Sequence, residues 1–322
     1  MTKRVVTIGG GTGTFAVLSS LRRIPDLSLS AIVTTADDGG STGHLRDAYG
    51  FLPAGDARQA LVALAEDGNV LRDLFAYRFT KSDLAGHSLG NLFITALTDL
   101  LGSDRAGLAE ASRILRVNGT VIPATDTSSV IVATLADGSV IRNEHAIDER
   151  VVGRSRIKSL AFDVSAPLAK EAHEALKEAD AIIIGPGDLY TSSIAALLPE
   201  GMREAIQASD AQLIYIANLF TKTGQTDGYT LREHVEEIER YAGRAPDKIL
   251  VHEGMFSQEV LQWYASEGEY PLVDDLTDDV RVTRSALASV NVVPALPNDP
   301  IRRSLMRHDP ILVGEALRQL LT

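Results

Sequence analysis

The acids Asp37 and Asp38 close an apolar run and lead straight into Gly39, Gly40, Ser41 and Thr42, in the stretch TTADDGGSTG. An acid at the end of a second strand accepts ribose hydroxyls in dinucleotide folds, and paired carboxylates also hold a divalent cation. The competing reading is an Asx turn or N-cap, with Ser41 or Thr42 opening the next helix. A second polar run, IGGGTGTF, places Gly10, Gly11, Thr12 and Gly13 between a strand-like and a helix-like segment. Glycine lets backbone amides approach an anion closely, and the helix that follows aims its unpaired N–H groups at it. Thr14 stands where a G-x-G-x-x-G fingerprint needs its third glycine, and no Gly-Lys-Ser/Thr marks a P-loop, so a ligand-free tight turn competes. The run IIIGPGDLYTSSI repeats the chemistry: Gly185, Pro186 and Gly187 end a very apolar segment, and Tyr190, Thr191 and Ser192 follow. Two amide-lined cradles in one sheet suit a diphosphate that bridges them.

Four shorter runs add side chains. In LPAGDARQAL, Asp56 sits at a helix start, where its ordinary role is an N-cap worth about 1 kcal/mol. Arg58, in the first turn, opposes the helix dipole and is better placed to serve an anion. HSLGNLF brings His87 and Asn91 to another helix start, where a histidine is as readily structural as functional. NLFTKTGQT sets Asn218 at a strand end, followed by a loop with Thr221, Gly224 and Thr226 that reads equally well as a surface loop. In LMRHDP, Arg307 and His308 stand before the last helix, in reach of a phosphate. The absence of cysteine removes thiolate nucleophiles and Cys-ligated zinc. A metal would therefore use oxygen, and Asp37, Asp38 and Asp56 with phosphate oxygens suit magnesium. No motif supplies a convincing nucleophile.

These runs fall at the ends of alternating strand-like and helix-like segments, from KRVVTIGG and TFAVLSSLRRI to KILVHEG and DPILVGEALRQLL. Strands buried on both faces with helices between them predict a three-layer αβα, Rossmann-like fold with a mostly parallel sheet, in one domain over residues 1–322. Residues 119–165 are richer in short strand-like runs, with Asp137-Gly138 as a hairpin turn, and read as a small β-rich insertion. In such sheets ligands bind beyond the carboxyl ends of the strands, where the polar runs lie. The 322 residues, 45% of them hydrophobic, carry a net charge of −12, which argues against a nucleic-acid partner. No apolar stretch approaches the ~20 residues of a transmembrane helix, and the N-terminal run is no signal peptide. The expectation is a cytoplasmic protein without membrane insertion.

Together GGGTG, ADDGGSTG, PAGDARQALVAL, HSLGNL, GPGDLYTSSI, NLFTKTGQT and RHDP, in this order, resemble the YvcK-type gluconeogenesis factors within the CofD-like family. The match runs over essentially the whole chain. It implies binding of a UDP-sugar, UDP-N-acetylglucosamine above all, or of an NAD-like dinucleotide in the cleft. It also implies a link to gluconeogenic growth, cell shape and cell-wall synthesis. By the same resemblance Tyr264, in LQWYASEG, and Arg307 contact the UDP-sugar, and Asp37, Asp38 and Asp56 match the magnesium-associated acids of a phospholactate transferase. Two functions compete: a UDP-sugar-binding regulator, and a magnesium-dependent transferase on a nucleotide-activated or phospholactyl substrate. The protein partners to expect are cell-wall or regulatory proteins and a second copy of the chain in a homodimer.

Overall fold

Among the described residues, β-branched and leucine-rich runs form ten strands: β1 (Lys3–Gly9), β2 (Leu27–Val33), β3 (Thr120–Pro123), β4 (Ile131–Leu135), β5 (Val140–Arg142), β6 (Ile157–Phe162), β7 (Ala181–Ile184), β8 (Gln212–Ile216), β9 (Lys248–His252) and β10 (Val282–Ser285). They belong to a computed structural model that describes residues 2–68, 70–150, 155–289 and 305–321. Seven strands make one sheet in the order β10-β9-β8-β7-β1-β2-β3, and every pairing in it is parallel. β5, β4 and β6 form a separate antiparallel sheet. Thus Thr120–Pro123 is an edge of the main sheet, and the antiparallel unit occupies Ile131–Phe162.

Alternation along the strands builds two cores. Val6 and Ile8 of β1, with Ile182 and Ile184 of β7, point to one face. Val5, Ala181 and Ile183 point to the other. Period-two alternation with both sets apolar makes a strand that needs cover above and below. Helices α1 (Gly11–Leu21), α2 (Gly40–Tyr49) and α3 (Gly55–Leu64) follow β1 and β2, and α1 and α3 cover the second face along with Pro310–Leu321. Lys170–Glu178, Met202–Ala208 and Leu231–Ala242 cover the first, where Ile131, Ala133 and Leu160 of the small sheet also pack. The expected hairpin turn is present: Gly138 adopts φ +85°, and its N–H donates to the Leu135 carbonyl at 3.0 Å.

One local reading changes. TSSIAALL has helical spacing, but residues Leu189–Ile194 form a wider π turn and Ala195–Leu197 a 3-10 turn. The Asp188 carbonyl accepts from both Ser192 and Ser193, each at 3.0 Å, which widens the first turn. Among the described residues no helix is long and apolar enough to cross a membrane.

The connectivity decides where a ligand can sit. The chain steps from β1 outward to β2 and β3, then returns to lay β7 against the other side of β1. Strand order reverses there, so the helix after β1 and the turns after β7 pass to opposite faces of the sheet and leave a crevice.

Candidate functional site

β1 and β7 are in register from Val5↔Ala181 to Ile8↔Ile184, so both glycine loops leave the sheet side by side. They touch: a Cβ on Gly13 would lie 2.1 Å from the Pro186 carbonyl oxygen. Only glycine permits that approach. Gly10 and Gly39, which open α1 and α2, have no side chain of their own to cap the first turn, and in α1 Asp56 takes the Gly11 N–H. Unpaired N–H groups at two helix starts are an anion-binding surface. They open into a cleft of about 1630 Å³ lined by Gly10, Gly11, Thr12, Gly13, Gly39, Gly40, Ser41, Thr42, Pro186, Gly187 and Ser192.

A carboxylate pair forms the floor on the β2 side. Asp56, 9% exposed, does not cap its own helix; its Oδ1 accepts the Gly11 N–H at 2.8 Å. The carboxylate lies where a Cβ on Gly10 would be, 2.4 Å from Oδ2. Asp37 accepts from the Gly39 N–H at 3.0 Å and also bonds Thr42. Burial pushes the Asp56 carboxyl up to about 7, with Asp37 adding to the rise, while the Gly11 N–H and Arg58 oppose it. Asp37 is raised as well, chiefly by burial. Asp38 turns away, its Oδ1 accepting the His145 N–H at 2.9 Å and so tying the antiparallel unit to the main sheet. That tie brings Glu144 into the cleft, where burial and then Asp37 raise its carboxyl to about 10.

Arg58 reaches into the same space, and its Nε donates to Asn91 Oδ1 at 2.9 Å. Asn91 Nδ2 donates to Ser41 Oγ at 3.4 Å and Thr42 Oγ1 at 3.3 Å. His87 stands behind this chain, with Nδ1 3.0 Å from Ser41 Oγ, and burial followed by the neighbouring His44 lowers its pKa. Its role is thus one step removed from the cleft wall.

The opposite wall comes from the loop after β8. Lys222 Nζ lies 3.4 Å from Asp148, and Gln225 Nε2 donates to Asp148 at 3.0 Å and to Thr191 Oγ1 at 3.2 Å. Burial works against the Lys222 charge, but Asp188, Asp148 and Glu269 outweigh it and raise the pKa. Asn218, Thr221, Lys222 and Glu269 line the cleft. Thr226 does not; its Oγ1 accepts the Lys222 N–H at 2.8 Å and braces the loop. Gly224 packs on Arg150, with φ +78°.

The last segment, residues 306–308, closes the cleft beside β8. Arg307 lines it, with its carbonyl held by the Ser289 N–H at 2.8 Å. Tyr264 borders it too, but its ring is 2% exposed and stacks on Phe220 at 3.7 Å between centroids. Its hydroxyl accepts the Met306 N–H at 3.0 Å, so it holds the Arg307 segment in place. Tyr190 differs from the reading of its motif: it is fully buried, with its hydroxyl 3.0 Å from that of Tyr229, in the core rather than the cleft. Gly185 likewise lies beneath, against the Ile216 carbonyl.

Glu144, Asp148, Asp188, Lys222 and Glu269 line the cleft without having been singled out in the sequence. Asp188 and Lys222 lie inside recognised runs, GPGDLYTSSI and NLFTKTGQT, so strand-end position was the available signal. Glu144 and Asp148 sit on a short helix of the antiparallel unit and had none. Among the described residues no group of three or more His, Asp or Glu side chains is arranged to hold a metal. The donor set that fits a cation is the Asp37–Asp56 pair: adjacent, Asp56 buried and Asp37 half-buried, mutually repelling, and beside the amides that face an anion. Two carboxylates with ligand phosphates match how magnesium is held.

The family model of the 2-phospho-L-lactate transferase CofD matches residues 5–293. A protein named gluconeogenesis factor from Halalkalibacterium halodurans is 38% identical over 317 residues, covering 98% of this chain and 95% of that protein. One of the same name from Bacillus subtilis is 36% identical over 324 residues, covering 99% and 98%. A relative from Nostoc sp. is 42% identical over 275 residues; the match takes in 84% of this chain but 60% of that protein's length. A crystal structure of a UPF0052-family member from Bacillus halodurans has a TM-score of 0.89 at 36% identity, with 99% of each chain covered.

Proposed function

The chain belongs to the CofD family, and from that premise we propose that it is a nucleotide-sugar-binding regulator that takes UDP-N-acetylglucosamine. The observation that carries this reading is the backbone contact of two glycine loops across the strand-order reversal, Gly13 against Pro186, with two helix starts open to the same space. A diphosphate lies naturally over such a junction, and its two ends then extend along opposite arms of the cleft. At about 1630 Å³ the cleft exceeds the roughly 300–1,000 Å³ of an ordinary small-molecule pocket. It has room for a nucleotide-sugar or a dinucleotide. Ser41 Oγ, 3.0 Å from His87 Nδ1, also accepts from Asn91 Nδ2, so the hydroxyl is engaged in the bonding of the cleft wall, which favours binding over group transfer through the protein. The relatives' name supports a role linked to gluconeogenic growth, and with the UDP-sugar it extends to cell shape and cell-wall synthesis.

The second reading is a magnesium-dependent transferase, and the Asp37–Asp56 pair favours it. Those two carboxylates would hold the ion, which neutralises phosphate charge when bound. Arg58 and the loop amides would orient the phosphates, and no step is assigned to Asp38 because it is committed to His145. Titration calorimetry with UDP-N-acetylglucosamine, with and without Mg²⁺, followed by mass spectrometry of ligand and protein, separates the readings. Saturable binding with the ligand recovered intact supports the regulator. Consumption of the ligand only with Mg²⁺ favours the transferase, and no binding under either condition sinks the regulator.

A further inference from the structure

The short helix Glu144–Asp148 joins the two walls of the cleft. At its start the His145 N–H donates to Asp38 Oδ1 at 2.9 Å, on the β2 side. At its end Asp148 accepts from Gln225 Nε2 at 3.0 Å and lies 3.4 Å from Lys222 Nζ, in the loop after β8. Arg150, 5% exposed, continues that seat and packs against Gly224 of the same loop.

Between these ends Glu144, His145 and Asp148 line the cleft. Glu144 and Asp148 are four residues apart and share one helix face. Of the five side chains only Ile147 is buried, in the core beneath. A helix this short does not sustain itself, and one buried apolar side chain gives it little local stability. Its position therefore depends on the polar contacts at its two ends.

The ends are built differently. Lys222, Gln225 and Gly224 all hold the far end, and Gln225 is itself tied to Thr191 Oγ1 at 3.2 Å. The near end has the Asp38 contact, and the chain enters it through Asn143 at φ +80°, a conformation that residues with side chains rarely adopt. Such a backbone persists only where its surroundings enforce it, so this end releases first. Asp38 has a firm base: a Cβ on Gly43 would lie 2.1 Å from its carbonyl oxygen, so α2 packs on its backbone. Neither Asp38 nor Gln225 lines the cleft, so both hold the helix from outside the space that a ligand fills.

We propose that Glu144–Asp148 is a strap over the cleft, hinged on the loop after β8 and latched by Asp38, and that a bound ligand and the latch hold it down together. Asp38 is then a positioning residue and not a ligand of the cation. A ligand that touches the cleft face of the strap binds better when the strap is latched. Linkage requires that it stabilise the latched state by the same factor. The coupling rests on the nucleotide-sugar reading for its ligand, whereas the latch itself is tested without one.

Hydrogen–deuterium exchange by mass spectrometry on the full chain follows the amides of residues 143–149, with and without saturating UDP-N-acetylglucosamine, and calorimetry gives the affinity. In wild type the ligand should slow exchange there by about fivefold or more. Asp38→Ala removes the acceptor; it should speed exchange in the free protein and weaken binding by about the same factor. Asp38→Asn keeps an oxygen for the His145 N–H and should restore both. Wild-type exchange that does not change on binding overturns the strap, and it decides the matter even if Asp38→Ala does not fold. Weaker binding in Asp38→Ala with normal exchange in the free protein overturns the latch. Asp38→Asn as poor a binder as Asp38→Ala overturns it too, because the requirement is then for charge beside the phosphates. A wild type that does not bind UDP-N-acetylglucosamine overturns the nucleotide-sugar reading, and the coupling with it.

Discussion

Gly13→Ala tests the junction on which the functional reading depends. The added methyl would meet the Pro186 oxygen at 2.1 Å, its carbon at 2.6 Å and the Gly187 nitrogen at 3.2 Å. A carbon normally stays about 3.3 Å or more from a carbonyl oxygen, so the loops must part by about 1 Å. The obstacle is backbone, and no side-chain rotation relieves it. β1 and β7 resist the separation through their paired register up to Ile8↔Ile184. Overpacking of a fixed interior costs about 1–3 kcal/mol, and the rigid obstacle puts this case near about 3 kcal/mol. Gly40→Ala is the control: nothing lies within 4 Å of its added methyl, but its φ of +45° makes alanine unfavourable by about 1 kcal/mol. Urea unfolding followed through the single tryptophan, Trp263, measures both. Affinity for UDP-N-acetylglucosamine should fall about tenfold in Gly13→Ala, because the two sets of amides no longer converge. Equal unfolding midpoints for Gly13→Ala and wild type, or a Gly40→Ala variant that is the less stable of the two, would refute the reasoning.

Asp56 has a folded-state pKa raised to about 7, so the native protein binds a proton that the unfolded chain has lost. Stability therefore declines as pH rises from about 4, the unfolded carboxylate value, through about 7, and Asp56→Asn should flatten that decline in a pH series of urea unfolding. A variant with the same slope as wild type would show that Asp56 is not the titrating group. Tyr264→Phe strands the Met306 N–H and should cost about 1–3 kcal/mol in the melt, while its ring keeps the stack on Phe220. An unchanged melt would mean that the hydroxyl does not anchor the last segment. Arg307→Ala should weaken UDP-N-acetylglucosamine binding by about ten- to a hundredfold, as expected for a lost charge-assisted bond, without a large change in thermal midpoint. Unchanged affinity removes Arg307 from the site, and a collapsed midpoint makes it structural.

Strand ends carried most of what could be read in advance. Parallel strands buried on both faces are continuous apolar runs, such as AIII at β7, and they stop abruptly where polar residues begin. Gly10 to Gly13, Asp37, Asn218 and the Pro186 loop stand at such stops, which is why one cleft gathers them. Orientation was not legible. Asp37 and Asp38 are chain neighbours in the loop beyond β2, which ends at Val33, and they face different ways, one into the cleft and one to His145. Tyr190 follows a recognised loop, yet the wide turn that begins at Asp188 carries it into the core. Glu144 enters the cleft from the antiparallel unit, far along the chain from Asp37 and Asp56, which it faces, and no local pattern encodes that distance.

The same acids bear on how a chain of net charge −12 accommodates a phosphate-bearing ligand. Counted from the sequence, Asp37, Asp56 and Glu144 would repel one. Burial changes the count, because Glu144 at about 10 keeps its proton at neutral pH and Asp56 at about 7 is half-protonated there. The field at the glycine loops is then set by their amides, the two helix starts and Arg58. Ionising Asp56 reverses the balance unless a divalent cation takes the place of the proton beside Asp37. Proton and cation are thus alternative ways of neutralising one carboxylate pair. On the proposed reading, magnesium should matter little for ligand affinity below pH 7 and increasingly above it.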